Sequence, residues 1–369
     1  MFLYNIIMKK FIFFSLILLS LLTISSCDSN LKPARGDEDE IIVIADSSEY
    51  EAFKHSLQQV FEKTINTPQP EKLFNLRRIR FDELNKYQSR KNIIIIAPIN
   101  SGSSVSKYIA TLLDPAAKKK MENGEAAFII KYNFWADGQI VMLMSAPTVE
   151  EVEFAILNHG DKLTYALQKQ SDKRLMKYVY NSKYENRPLE GKFLKNYGWY
   201  IFSQVDYVLA VERPEDNFIW LRRSPDTAME RWIFVHWIDN ASPEYLNKDS
   251  IISLRNRLTQ KYYRTSDDSY FVEIADSAFT PVEVNFQNSY ALFTQGLWRM
   301  TDMYMGGPFI NYTIYDEKAR RIYMLDGSIF APRYFKRRII QQVDVILQSF
   351  RTKNQLDIQV LEDLLGEVN

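Results

Sequence analysis

The chain has 369 residues, with 46 basic and 46 acidic side chains, so its formal charge is zero and it lacks the basic footprint of a nucleic-acid binder. Hydrophobic residues at 46% beside charged ones at 25% describe a globular protein and exclude a disordered one. The single cysteine excludes an internal disulfide and a multi-thiolate metal site.

In chain order, Lys9-Lys10, the apolar run Phe11 to Leu22 and the small pair Ser25-Ser26 lead to Cys27. This is the pattern of a cleavable secretion signal. The apolar run falls short of the roughly 20 residues that span a bilayer. Residues 1–26 resemble a bacterial lipoprotein signal, in which the cysteine thiol is acylated and becomes the first mature residue. Cys27 is therefore the expected lipidation site. Acyl chains such as palmitate, at about 0.8 kcal/mol per buried methylene, would hold it in a leaflet. The expected location is a bacterial cell envelope, with the outer membrane favoured. Residues 27–40 contain Pro33, Gly36 and the acid cluster Asp37 to Glu40, and read as a polar tether.

Residues 41–180 form the expected N-terminal half. Ile41 to Asp46 is a strand and Ser47 or Ser48 caps a helix to Lys63, with Phe53, Leu57, Val60 and Phe61 at helical spacing. A strand near Phe74 to Phe81 and the buried strand Asn92 to Ile99 follow. The polar loop Asn100 to Ser104, with a serine of Gly102-Ser103-Ser104 as cap, leads into a helix over Val105 to Leu113. Ala126 to Trp135 and Gln139 to Met144 make a hairpin across Asp137-Gly138, a favoured two-residue turn. One long helix runs from Val149 to Val179.

Residues 190–350 form the expected C-terminal half. It opens with an aromatic hairpin over Gly198 to Arg223, then the strand Trp232 to Ile238 and the helix Asp249 to Tyr262. An insertion from Ser266 to Met305 precedes a hairpin of Phe309 to Tyr315 with Arg321 to Leu325. Ser328 to Pro332 then leads into a helix over Tyr334 to Phe350. Ala146-Pro147 and Ala331-Pro332 each precede a helix, which suggests an internal duplication as readily as the general liking of proline for a first helical turn. The expected fold class is α+β, with two similar halves, each a mixed or antiparallel sheet covered by helices. The tail 351–369 either forms one short helix around Ile358 to Leu365 or frays.

Phe218-Ile219-Trp220-Leu221-Arg222-Arg223 and Gly296-Leu297-Trp298-Arg299-Met300-Thr301-Asp302-Met303-Tyr304-Met305-Gly306-Gly307-Pro308-Phe309 carry a resemblance. With Arg35-Gly36, Pro68-Gln69-Pro70-Glu71 and Trp135-Ala136, they make the chain similar to the domain-of-unknown-function family 4837 over Arg35 to Phe350. The resemblance implies a shared fold and a lipoprotein location in Gram-negative bacteria. It implies no activity.

No catalytic motif is present: there is no Walker loop, no Gly-x-Gly-x-x-Gly and no Gly-x-Ser-x-Gly elbow. None of His55, His159 and His236 has a partner at ligand spacing, so no metal site is expected, and no cofactor. His236 alternates with Trp232 and Phe234 and reads as a hydrogen-bonded core residue. Trp220, Arg222, Arg223, Trp298, Asp302, Gly306, Gly307 and Pro308 are the candidate binding site. Asp302, among rings and beside Gly306-Gly307, is expected to contact a ligand, to meet an arginine or to cap the Gly-Gly turn. The favoured function is a non-enzymatic binding or assembly role, with an envelope protein as partner and the membrane reached through the lipid. The alternative is an envelope glycan or peptide hydrolase using carboxylates such as Asp302.

Overall fold

The computed structural model describes residues 31–368, apart from Asn66, Thr227, Ala228 and residues 276–278. The signal segment and Cys27 lie outside the described residues. No described helix is long and apolar enough to cross a membrane.

The first half comprises β1 (Glu40–Ile44), α1 (Ser47–Phe61), the ribbon β2 (Thr64–Ile65) and β3 (Glu71–Lys72), β4 (Asn75–Ile79), α2 (Leu84–Tyr87), β5 (Asn92–Ile96), α3 (Ser104–Leu112), α4 (Pro115–Glu122), β6 (Phe128–Tyr132), β7 (Ile140–Met144), α5 (Val149–Asn158) and α6 (Gly160–Val179). Its sheet runs β4-β1-β5-β7-β6, parallel except for the edge strand β6. Ile41 to Ile44 and Ile93 to Ile96 are fully buried because helices cover both faces. Val43, Ile94 and Met142 pack with α1, α5 and α6, while Ile42, Ile95 and Val141 pack with α2 and α3.

Local differences from expectation have local causes. Asp46, not Ser47 or Ser48, stands at the N-cap of α1, and Ser47 is its first helical residue. The long helix is broken between α5 and α6, and a Cβ on Gly160 would come within 2.8 Å of Val60, so α1 approaches at the break. The β6–β7 connection is not a two-residue turn. It spans 133–139, with Asn133 accepting from the Gly138 amide and the Gln139 side chain accepting from the Trp135 amide. Residues 32–40 are not a free tether. Lys32 and Ala34 bond the backbone of Asp137, and Arg35 bonds Ser89 and Lys91. Glu38 takes Arg174 and Lys91, each at 2.7 Å, and these cations hold its carboxyl below the usual range against the opposing effect of burial.

The second half comprises α7 (Arg187–Tyr197), β8 (Trp199–Tyr200), β9 (Val208–Arg213), β10 (Phe218–Asp226), β11 (Met229–Ile238), α8 (Lys248–Tyr262), β12 (Val272–Ile274), β13 (Val282–Phe286), β14 (Ser289–Met300), β15 (Gly306–Asp316), β16 (Arg321–Phe330), α9 (Lys336–Gln348), β17 (Arg351–Thr352) and α10 (Ile358–Gly366). An antiparallel sheet runs β12-β14-β15-β16-β11-β10-β9, with β13 also on β14. The expected insertion is therefore sheet: β12, β13 and β14 lie within it. Strand β16 continues past Leu325 through Asp326 and Ser328 to Phe330. Of the aromatic hairpin, only β9 and β10 pair with each other, whereas β8 pairs with β17. The tail does not fray: α10 packs against α7 and buries Leu364.

Strand direction and order differ between the halves, one mostly parallel with interleaved helices and the other antiparallel, so of the two readings of the Ala-Pro pairs the duplication fails. The architecture is α+β with two unlike sheets. The halves share a core, since Leu175 and Val179 of α6 join Phe193, Ile233, Leu325 and Val343. Glu71 accepts from the backbone amides of Lys336 and Arg337, capping α9 from the other half.

Candidate functional site

Alternation along the antiparallel strands sends Phe218, Trp220, Trp232, Phe234, Trp298, Phe309 and Met324 toward α8. The register then places polar residues in a row at the centre of that face: Thr294 opposite Asn311, and Asn311 opposite Asp326. All three are fully buried.

A buried carboxylate needs a matched cation, and α8 supplies it. Arg255 is fully buried and binds Asp326 through Nε at 2.7 Å and Nη2 at 3.2 Å. Nη2 also donates to Ser328 at 3.0 Å, and the guanidinium lies 3.8 Å from the centre of the Phe309 ring. Asn311 and Ser328 donate to Asp326, and Thr313 donates to Asn311. Arg255 Nη1, Thr294 Oγ1 and Tyr263 Oη have no hydrogen-bond partner among the described residues. A cleft bordered by Thr313, Ile251 and Met324 has a volume of about 10 Å³, room for about one water. The centre is thus a sealed ion-pair network rather than an open acid.

The sequence-predicted site is divided by the structure. Arg222 makes a two-pronged pair with Glu230, at 2.6 and 2.9 Å, and Glu230 also accepts from Trp232 Nε1 at 2.7 Å. Trp232 stands 4.9 Å from Trp298 and edge-on to Trp220. Trp298 donates to the carbonyl of Ile329. Gly307 lies against that carbonyl, where a Cβ would come within 2.0 Å of the oxygen. Trp220, Arg222, Trp298 and Gly307 therefore join one patch through Trp232 and Glu230.

Arg223 points to the opposite face, where it pairs with Asp206 beside Tyr207. Asp302 meets neither arginine's ion pair among the described residues. It accepts from the Tyr304 amide and caps its own turn. Gly306 pairs with Arg299, and Pro308 is buried opposite Leu297. His236 is buried, its Nδ1 bonded to the carbonyl of Asn217 at 3.0 Å. Burial pushes it down to about 4, so the ring is neutral at physiological pH.

Sequence reading missed Arg255 and Asp326, although both left a signal. Arg255 shares the helical stripe of Ile251, Leu254 and Leu258, and Asp326 interrupts an apolar strand. Each is a charge at a core position. Among the described residues no group of three His, Cys, Asp or Glu side chains is placed to hold a metal ion.

Residues 186–349 match the family described as Domain of unknown function (DUF4837). Residues 34–180 match a different one, Domain of unknown function (DUF8532). The first match covers the antiparallel half, and the expected extent from Arg35 narrows accordingly. No curated protein matches the chain. Among solved structures, the Ran-binding protein Mog1p of Saccharomyces cerevisiae is 10% identical with a TM-score of 0.27, covering 44% of this chain and 93% of that one. A Bacteroides thetaiotaomicron protein is 6% identical with a TM-score of 0.24, covering 42% and 45%. Scores this low carry no argument about fold or function.

Proposed function

We propose, for a chain whose residues 186–349 match the DUF4837 family, that it is a lipid-held, non-enzymatic binding or assembly protein of a bacterial cell envelope, with its anchor at Cys27. The observation that carries the reading is the segment Lys9-Lys10, Phe11 to Leu22 and Ser25-Ser26-Cys27. Support for a non-enzymatic role comes from the sheet. Asp326 is taken by Arg255, Asn311 and Ser328, Arg222 by Glu230, and Asp302 by its own turn, so the groups best suited to acid or anion chemistry are occupied within the fold.

Detergent phase partition tests the anchor. The wild-type chain is expected in the detergent phase and Cys27→Ser in the aqueous phase. A Cys27→Ser chain that stays with membranes through a high-salt wash overturns lipid anchoring. Cross-linking in intact envelopes tests the role, with a specific envelope protein expected at stoichiometric yield. Release of product from envelope glycan or peptide by the purified chain overturns the non-enzymatic reading.

A further inference from the structure

We propose that the end of the molecule carrying Met303, Tyr304, Tyr334 and Phe335 rests on the lipid surface itself, an inference that depends on acylation of Cys27. The docking of residues 32–40 leaves Asp28 to Leu31 between Cys27 and the fixed Lys32. Those steps reach at most about 18 Å even when fully extended. A folded body of this length is roughly 50 Å across by the usual scaling of chain length to radius. The protein therefore cannot stand away from the bilayer or turn freely above it. The end where the chain enters must face the lipid.

That entry edge is marked by the starts of the parallel strands. Residues 32–39 bond Asp137 ahead of β7, Ser89 and Lys91 ahead of β5, and Asn75 at the start of β4. Glu71, just ahead of β4, holds the first turn of α9 to the same edge, and Arg337 of that turn stacks on Phe74 at 4.8 Å. Tyr334 and Phe335 immediately precede α9. The β14–β15 tip, 301–305, leaves the large sheet at the end where β16 finishes, since Trp298 bonds the carbonyl of Ile329 and lies 6.4 Å from Phe330.

The two most exposed large apolar side chains among the described residues, Tyr304 and Phe335, are both at this end. Phe335 is 84% exposed, Tyr304 90% and Met303 68%, on two neighbouring loops that also present Arg333 to solvent. Aromatic and apolar side chains with a cation beside them are the composition that settles at a headgroup boundary, the cation favouring anionic lipid.

The test uses the full acylated chain in vesicles of phosphatidylethanolamine and phosphatidylglycerol. Its one native cysteine is consumed by the lipid, so Tyr304→Cys, Phe335→Cys and Lys318→Cys accept a polarity-sensitive thiol label at one position each. Lys318, in the β15–β16 turn at the other end of the large sheet, is the control. A blue shift and severalfold stronger quenching by brominated lipid at 304 and 335 than at 318 is expected. A chain that partitions to membranes through Cys27 while 304 or 335 is quenched no more than 318 overturns the contact and leaves the anchor standing. A wild-type chain found in the aqueous phase removes the anchor, and the contact with it.

Discussion

The first-half sheet buries Ile41 to Ile44, Ile93 to Ile96 and Ile140 to Met144 with no charge between them, whereas the centre of the second-half sheet holds Asp326, Asn311, Thr294 and Ser328 under Arg255. Helices cover both faces of both sheets, and the short parallel strands of the first are apolar throughout. Longer antiparallel strands alternate, so one face can be given over to polar residues provided each charge is matched. The strands of the first sheet are held by apolar packing, with Glu38, Arg174 and Lys91 pairing at its edge, whereas the second sheet carries its ion pair at its centre.

The largest expected effect follows from that difference. Asp326→Ala leaves Arg255 buried without its partner and should cost about 3–5 kcal/mol in urea denaturation. Ile94→Val in the other sheet should cost about 0.5–1.5 kcal/mol. Equal losses would break the comparison. Replacing Asp326 and Arg255 together with leucine and methionine should recover much of the loss, because no charge is then stranded.

A smaller effect separates the two faces of the large sheet. On the α9 side, Asp344 accepts from Tyr312 at 2.7 Å and from Gln348 at 3.0 Å but has no cation among these partners. Desolvation, with Asp172 nearby, pushes it up to about 7. The folded chain therefore holds this proton more tightly than the unfolded chain, whose carboxyl has the ordinary value of 3.8. The resulting stability is full below about 4 and is lost as pH rises through about 7. Asp344→Asn cannot ionise and should gain on wild type between pH 4 and 8, by at most about 4 kcal/mol for a rise from 3.8 to about 7. Melting temperatures across that range read it. A parallel decline in both proteins would assign the slope elsewhere.

The smallest effect is expected at Asp302. Its one cap bond in an exposed turn predicts a loss of about 1 kcal/mol or less for Asp302→Ala, against the larger cost at Asp326. A drop in melting temperature matching that of Asp326→Ala would mean that Asp302 holds a buried arginine after all.

Much of the fold was legible because burial on both faces writes itself as unbroken apolar runs. Ile41 to Ile44 and Asn92 to Ile96 were placed within a few residues of their observed ends, as were the stripes of α1 and α8. The site was legible only in parts. The rings of Trp220 and Trp298 could be singled out, but Glu230, which actually takes Arg222, comes from the next strand and shows no local pattern. Sequence order also concealed the difference between the halves. An apolar strand looks the same whether its neighbour runs parallel or antiparallel, so matching successions of strand, helix and hairpin passed for a repeat.

By itself the sequence determined where the most strongly patterned elements lie, such as β1, β5, α1 and α8, that no internal disulfide can form and that residues 1–27 have the pattern of a lipoprotein signal, since these depend on local composition and spacing. Tertiary structure decided the direction and order of the strands, the docking of residues 32–40, the division of the candidate site and the partner of each buried charge. Those properties depend on which residues meet across the register and across helix faces, and Arg255 and Asp326, 71 positions apart, are joined only there.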